Sequence, residues 1–198
     1  WKIKVQVLKP IQKLSCKDAF VYRYQDGQSL DRPMSTVDRS RRDKVAVAIT
    51  IVYFELILNH GIILGDVNPG NFIITHDTVT LIDYGCVHVM TSDQVALCKE
   101  MVAGQQSIDA MERLVERWGG DREIAQSLYR HGRGFYLEDA GPVLFSKMES
   151  ITSLKMRKLT IPAEVMLVIR SSMQLASLMG RLKQYRNFAH IVNRIIKN

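Results

Sequence analysis

Gly65-Asp66-Val67-Asn68-Pro69-Gly70-Asn71, followed twelve residues after Asn71 by Asp83-Tyr84-Gly85, is the stretch that decides how the remainder of this chain is read. An aspartate and an asparagine five positions apart share one tight loop, in which Pro69 and Gly70 favour a sharp turn that brings Asn71 back toward Asp66. Beyond it, Phe72-Ile73-Ile74-Thr75 and Thr78-Val79-Thr80-Leu81-Ile82 flank His76-Asp77. They predict a β-hairpin that delivers Asp83 at its end.

Working outward, Lys44 to His60 is almost wholly apolar. Its core, Val45 to Leu58, is too short to span a bilayer and predicts a helix buried in a lobe, closed by Gly61 in the C′ position. Ile62-Ile63-Leu64 then leads directly into the Asp66 loop. Upstream, residues 1–24 read as strands: Lys2 to Leu8 alternates, Pro10 breaks it, and Asp18 to Tyr24 reads as a short apolar strand. A turn over Gln25-Asp26-Gly27-Gln28 and a polar, arginine-rich run from Asp31 to Asp43 follow. After Thr91-Ser92-Asp93 the chain reads as helices near 93–103, 107–118, 121–131, 138–151, 162–179 and 183–197, with Pro162 and Gly180 marking the bounds of the fifth. The fold class is therefore α+β: a protein-kinase-like fold with a mainly helical C-lobe, a short β-hairpin and the last strands of an N-lobe. Residues 1–24 are expected to form those strands and the hinge, and residues 25–198 the C-lobe.

The spacing suits phosphoryl transfer, which demands positioning and charge neutralisation more than covalent chemistry. Asp66, rigidly supported by the apolar segment before it, is the candidate catalytic group that orients or deprotonates the acceptor. Asn71 offers a neutral amide oxygen, and Asp83 an anionic one, to Mg²⁺. ATP and Mg²⁺ are thus the expected cofactors. An isolated D-x-x-x-x-N or D-Y-G carries little weight; the two together, across a hairpin and after a buried helix, are specific.

Composition places no obstacle. Of 198 residues, 46% are hydrophobic and 24% charged, ordinary for a globular domain. Three cysteines, Cys16, Cys86 and Cys98, give no disulfide framework and no metal spacing; Cys86 reads as a small packing residue. The histidines His60, His76 and His88 lack ligand spacing, and His131-Gly132-Arg133-Gly134 reads as a helix terminus and linker. Met166, Met173 and Met179, near helical spacing, read as core. The net charge of +7 divides unevenly: +6 over residues 1–44, −7 over 45–146 and +8 over 147–198. The acidic middle holds the candidate metal site, and the basic C-terminal block suits an anionic membrane surface or another acidic partner. No nucleic-acid motif accompanies the charge, so nucleic acid is not an expected partner.

The chain resembles the C-lobe of the UbiB-like, or aarF-domain, atypical kinases, whose loop reads H-A-D-P-H-P-G-N and whose metal motif reads L-I/L-D-F-G. Leu64 to Asn71 and Leu81 to Gly85 fall on these motifs. Val21-Tyr22-Arg23-Tyr24-Gln25-Asp26-Gly27 is similar to the family's hinge, which implies nucleotide contacts at Tyr22 and Tyr24. Ile161-Pro162-Ala163-Glu164 is similar to its late P-x-E/D helix. The likeness covers about residues 5–195, with the specific motifs between 20 and 90. Leu64 and Asn68 stand where the family has histidines, which removes its usual hydrogen-bonding side chains from the loop, and Arg23 replaces the hinge acid. The family's phosphate-clamping lysine, its glutamate partner, its alanine-rich loop and its K-x-G-Q extension have no counterpart here. Trp1 reads as a cut or processed end, and the expectation is a competent site within a longer parent protein.

The resemblance implies an ATP-binding atypical kinase or ATPase. Its expected role is in quinone or lipid metabolism at a mitochondrial, other organellar or bacterial membrane, with a lipid or isoprenoid-quinone precursor and protein partners as ligands. Two alternatives stay open on the sequence: an inactive pseudokinase subunit acting as a scaffold, and a small-molecule kinase of the aminoglycoside or choline phosphotransferase type, whose H-G-D-x-x-x-x-N loop Gly65-Asp66 also matches.

Overall fold

Asp38 accepts a hydrogen bond from the backbone N–H of Arg41 at 2.9 Å and so starts helix α1, Arg39–Leu58. The helix begins five residues before the apolar run, because a good N-cap recruits the arginine-rich segment as its first turn; the polar run to Asp43 is thus partly helical. Its buried residues recur in pairs (Val45 and Ala46, Ile49 and Thr50, Tyr53 and Phe54, Ile57 and Leu58), one stripe facing the core. The opposite face is wetter, and Ile51 is exposed. Asn59 forms the C-cap, which places Gly61, at φ +65°, one position beyond the C′ site expected for it.

The computed structural model describes residues 3–33, 37–104, 107–137, 160–184 and 189–197. Among the described residues six strands form two sheets: β1 Lys4–Val7, β2 Gln28–Ser29, β3 Ile62–Leu64, β4 Phe72–Ile74, β5 Thr78–Leu81 and β6 Val87–Val89. The larger sheet runs β1-β5-β4-β2, with β1 parallel to β5 and the other pairs antiparallel. The β4–β5 pair is the expected hairpin, in register Phe72 with Leu81 and Ile74 with Val79. β3 pairs with β6 antiparallel, Ile62 opposite Val89. Asp18 to Tyr24, expected as a strand, is not one: it makes isolated contacts, the bridge of Cys16 with Ala19 and the bond from Ile11 N–H to the Val21 carbonyl at 2.8 Å, and no described strand pairs with it.

The helices follow the expected order. α2, Ser92–Gly104, begins at a reciprocal pair: Thr91 Oγ1 accepts from Gln94 N–H at 3.3 Å, and Gln94 Oε1 accepts from Thr91 N–H at 2.9 Å. α3, Ile108–Arg117, is capped by Ser107, and α4 is Arg122–Leu137. His131 to Gly134 lie within α4 rather than in a linker, since these four residues continue the same backbone hydrogen bonding. The expected helix at 138–151 lies outside the described residues.

α5, Ala163–Arg181, starts at Pro162 and runs past Gly180. Its stop is Lys183, at φ +54°. Lys183 N–H bonds Gly180 C=O at 3.0 Å and Gln184 N–H bonds Met179 C=O at 2.9 Å, a Schellman ending without glycine. The last helix, α6, is Ala189–Lys197, so Lys183 and Gln184 belong to the preceding turn and not to the helix expected from 183. Of the methionines expected in the core, Met179 is buried while Met166 is 47% exposed.

α1 is the hub, packing on α2, α6, β1 and β3. Its Tyr53 hydroxyl lies 2.6 Å from Ser171 Oγ and 3.0 Å from Ser172 Oγ on α5, and this buried cluster fixes α5 against α1. Burial drives the Tyr53 pKa up to about 12, partly offset by those serines. No helix among the described residues is long and apolar enough to cross a membrane.

Candidate active site

The loop between β3 and β4 closes on itself as the Asp66 spacing predicts. Pro69–Asn71 forms a single 3-10 turn, and Asn68 caps it by accepting the Gly70 N–H at 3.1 Å. Asn68 therefore restores one side-chain hydrogen bond to a loop expected to have lost them. The turn delivers Asn71 to Asp66: Asn71 Nδ2 donates to Asp66 Oδ2 at 3.2 Å and lies 3.4 Å from its backbone oxygen.

The other carboxylate oxygen is held from across the molecule. Gln174 of α5 donates through Nε2 to Asp66 Oδ1 at 2.9 Å, and its Oε1 accepts the Val67 N–H at 3.0 Å. One side-chain amide thus spans both the carboxylate and the next peptide unit. Sequence reasoning missed Gln174, which stands 108 residues from Asp66. The one local signal is a long polar side chain in a helix whose neighbours Val168, Ser171, Leu175 and Leu178 are buried.

Asp83 is tied to the same loop through the main chain. Ile82 N–H bonds the Asn71 carbonyl at 2.9 Å, so the end of the hairpin is stitched to the Asp66 turn. The Asp83 side chain is exposed, and its Oδ1 accepts the Gly85 N–H at 2.9 Å. Tyr84 points back to the first strand. Its hydroxyl donates to the Leu8 carbonyl at 2.7 Å and lies 3.4 Å from the Tyr22 hydroxyl. That contact, then partial burial, raises the Tyr84 pKa to about 12. Tyr22 is thereby joined to the Asp83 motif, whereas Tyr24 stands 88% exposed, outside this network. Cys86, expected to pack, is exposed instead, although its Sγ lies against Gly65; its carbonyl accepts the Gly65 N–H at 2.7 Å.

The donor set can be tested against Mg²⁺. Each Asp66 oxygen accepts one amide donor, which leaves one further lone-pair position on each. Asn71 spends its Nδ2 on Asp66, which leaves Oδ1 as a neutral hard acceptor, and among the described residues none engages Asp83 Oδ2. Two oxygens of this kind fit an ion that retains most of its water shell. Among the described residues no group of three or more His, Cys, Asp or Glu side chains is arranged for a metal, so a thiolate or imidazole site of the zinc type is not built here.

A buried helix, an Asp–Asn loop, a hairpin and a following Asp-Tyr-Gly define the C-lobe of a protein-kinase-like fold. The chain matches the ABC1 atypical kinase-like domain over residues 3–113, more than half its length, and belongs to that family. Its fold is also similar to that of Rv3197 from Mycobacterium tuberculosis, solved in complex with erythromycin. The TM-score is 0.68 at 17% identity, with 98% of this chain and 52% of that one covered, so the chain spans about half the length of this neighbour. No curated protein matches it.

Proposed function

We propose that this chain carries the acceptor-activating and metal-binding half of an ATP-dependent atypical kinase or ATPase. The observation that supports this reading best is the Asp66–Asn71 contact, with the Asn71 carbonyl accepting the N–H of Ile82, the residue preceding Asp83. In this reading an acceptor oxygen attacks the γ-phosphorus of ATP as the bond to the β–γ bridging oxygen breaks, and ADP leaves with that electron pair. The acceptor's proton passes to Asp66. Each carboxylate oxygen has a second lone-pair position, so Asp66 accepts it while keeping its Gln174 and Asn71 contacts. Bound Mg²⁺ supplies charge neutralisation at the phosphates, held by Asp83 and Asn71 Oδ1. Tyr22 and Tyr24 contribute to the nucleotide side.

The substrate class proposed is a lipid or isoprenoid-quinone precursor, reached at a mitochondrial, other organellar or bacterial membrane. The charge of +8 over residues 147–198 supports peripheral contact with an anionic surface, and protein partners are proposed to dock on the same basic block. The test is a thermal shift with Mg·ATP and Mg·ADP on the longest natural form of the protein. A stabilisation removed by Asp83→Asn is expected; no stabilisation in any form would leave a scaffold rather than an enzyme.

A further inference from the structure

We infer that Gln174 is a positioning residue for phosphoryl transfer, fixing the Asp66 carboxylate in the plane from which it takes the acceptor's proton; this rests on the reading of the site proposed above. Three observations carry it. Gln174 uses both ends of one amide on adjacent groups, Asp66 Oδ1 at 2.9 Å and Val67 N–H at 3.0 Å, so the carboxylate cannot rotate without breaking a bond to a fixed partner. The two bonds leave the amide no freedom to flip, because inversion would set its NH₂ against the Val67 N–H and its oxygen against the carboxylate.

The helix carrying Gln174 is itself immobilised close by. Ser171 and Ser172 meet the buried Tyr53 hydroxyl of α1, and Met179 receives Thr50 Oγ1 at 3.8 Å. α1 also packs on β3, the strand that leads into the Asp66 loop. Strand, loop and α5 thus close a ring through α1, and Gln174 is the member that reaches the reacting carboxylate. A residue that only filled space at this point would not need opposite polarity at its two ends.

The two contacts can be separated by substitution. Gln174→Glu keeps size and an acceptor for the Val67 N–H but loses the donor to Asp66; Gln174→Met keeps size and loses both. Steady-state Mg·ATP hydrolysis, Mg·ATP thermal shift and Tm are measured on the longest natural form, with Asp66→Asn as reference. The expected result is a fall in kcat of about tenfold or more in both Gln174 variants, with KM and the nucleotide-induced shift within about twofold of wild type. Full kcat in Gln174→Glu would assign the residue to Val67 alone and overturn the inference. Parallel losses of Tm, KM and kcat would make it structural and also overturn it. Wild-type turnover in both Gln174 variants beside a dead Asp66→Asn overturns this inference and spares the site. An Asp66→Asn that hydrolyses normally, or a wild type that does not hydrolyse at all, overturns the site reading and this inference together.

Discussion

Asp66 is held by a residue 108 positions away, whereas Asp83 is held by its own neighbour two positions on. The Asp66 carboxylate is half-buried, with an amide donor on each oxygen, on a loop tied to α5 and backed by the core. The Asp83 carboxylate is exposed and makes only a local turn. The entropy of placing the first is met when the chain folds; in the proposed reading the second is left for a ligand to organise. A group that must intercept a proton benefits from preorganisation, since small misplacement costs rate. A group that binds a hydrated cation tolerates freedom, since the cation imposes its own geometry.

The largest predicted effect tests the held half. Asp66→Asn keeps shape but cannot accept a proton, and its NH₂ faces one of the two amide donors that the carboxylate accepts, so Mg·ATP hydrolysis should fall about 10²–10⁴-fold while the Mg·ATP thermal shift persists. If the shift disappears as well, Asp66 binds the nucleotide and the division between the halves is wrong.

Gly65→Ala tests how tightly that loop is set. A Cβ there stands 2.5 Å from Cys86 Sγ and 3.2 Å from the Cys86 carbonyl, so a loss of about 1–3 kcal/mol is expected. Chemical denaturation reads it. The Gly65→Ala/Cys86→Ala double variant should recover part of the loss, and no recovery would place the clash on the carbonyl.

Tyr53→Phe tests the support behind Gln174 and should cost about 1–2 kcal/mol, because it strips a buried partner from Ser171 and Ser172. It also changes the alkaline limb. Burial keeps Tyr53 protonated to about 12 when folded against 10.0 when unfolded, so its contribution is complete below pH 10 and is lost as pH rises toward 12. Cys98, buried and raised from 9.0 to about 11, acts likewise between pH 9 and 11. The wild type should therefore lose stability from pH 9 to 12 in urea titrations, and Tyr53→Phe should flatten the upper part of that fall. An unchanged slope would mean the phenol is not the group responsible.

The same contrast between local and distant support governs what the amino-acid sequence discloses by itself. The Asp–Asn loop, the hairpin and the Asp-Tyr-Gly are legible in it because turn residues and alternation act over a few positions. α1 is legible in its core but not at its start, where a single Asp38 cap outweighs the polarity of the residues after it. Asp18 to Tyr24 shows the converse: apolar character is a local property, but a strand needs a partner, and among the described strands none pairs with it. At the end of α5 Gly180 is the obvious stop, yet the left-handed position falls on Lys183, whose two backbone bonds offset a cost of about 1–2 kcal/mol. Gln174 is beyond reach because nothing within a window of its own helix refers to Asp66.

The smallest effect bears on whether the two halves are mechanically independent. Tyr84→Phe removes a hydroxyl that donates to Leu8 and touches Tyr22, a side-chain tie from the Asp83 motif to the end of the first strand. Because Tyr84 is only partly buried, the expected cost is about 0.5–1.5 kcal/mol. Hydrogen exchange should then rise several-fold at Lys4 to Leu8, since about 1 kcal/mol corresponds to roughly a fivefold change in an opening equilibrium. Exchange at Val67 and Asn71 should stay at wild-type rates, because those amides answer to Gln174 and Asn68. Faster exchange there would show that the first strand helps hold the Asp66 loop, making the exposed half a support for the buried one.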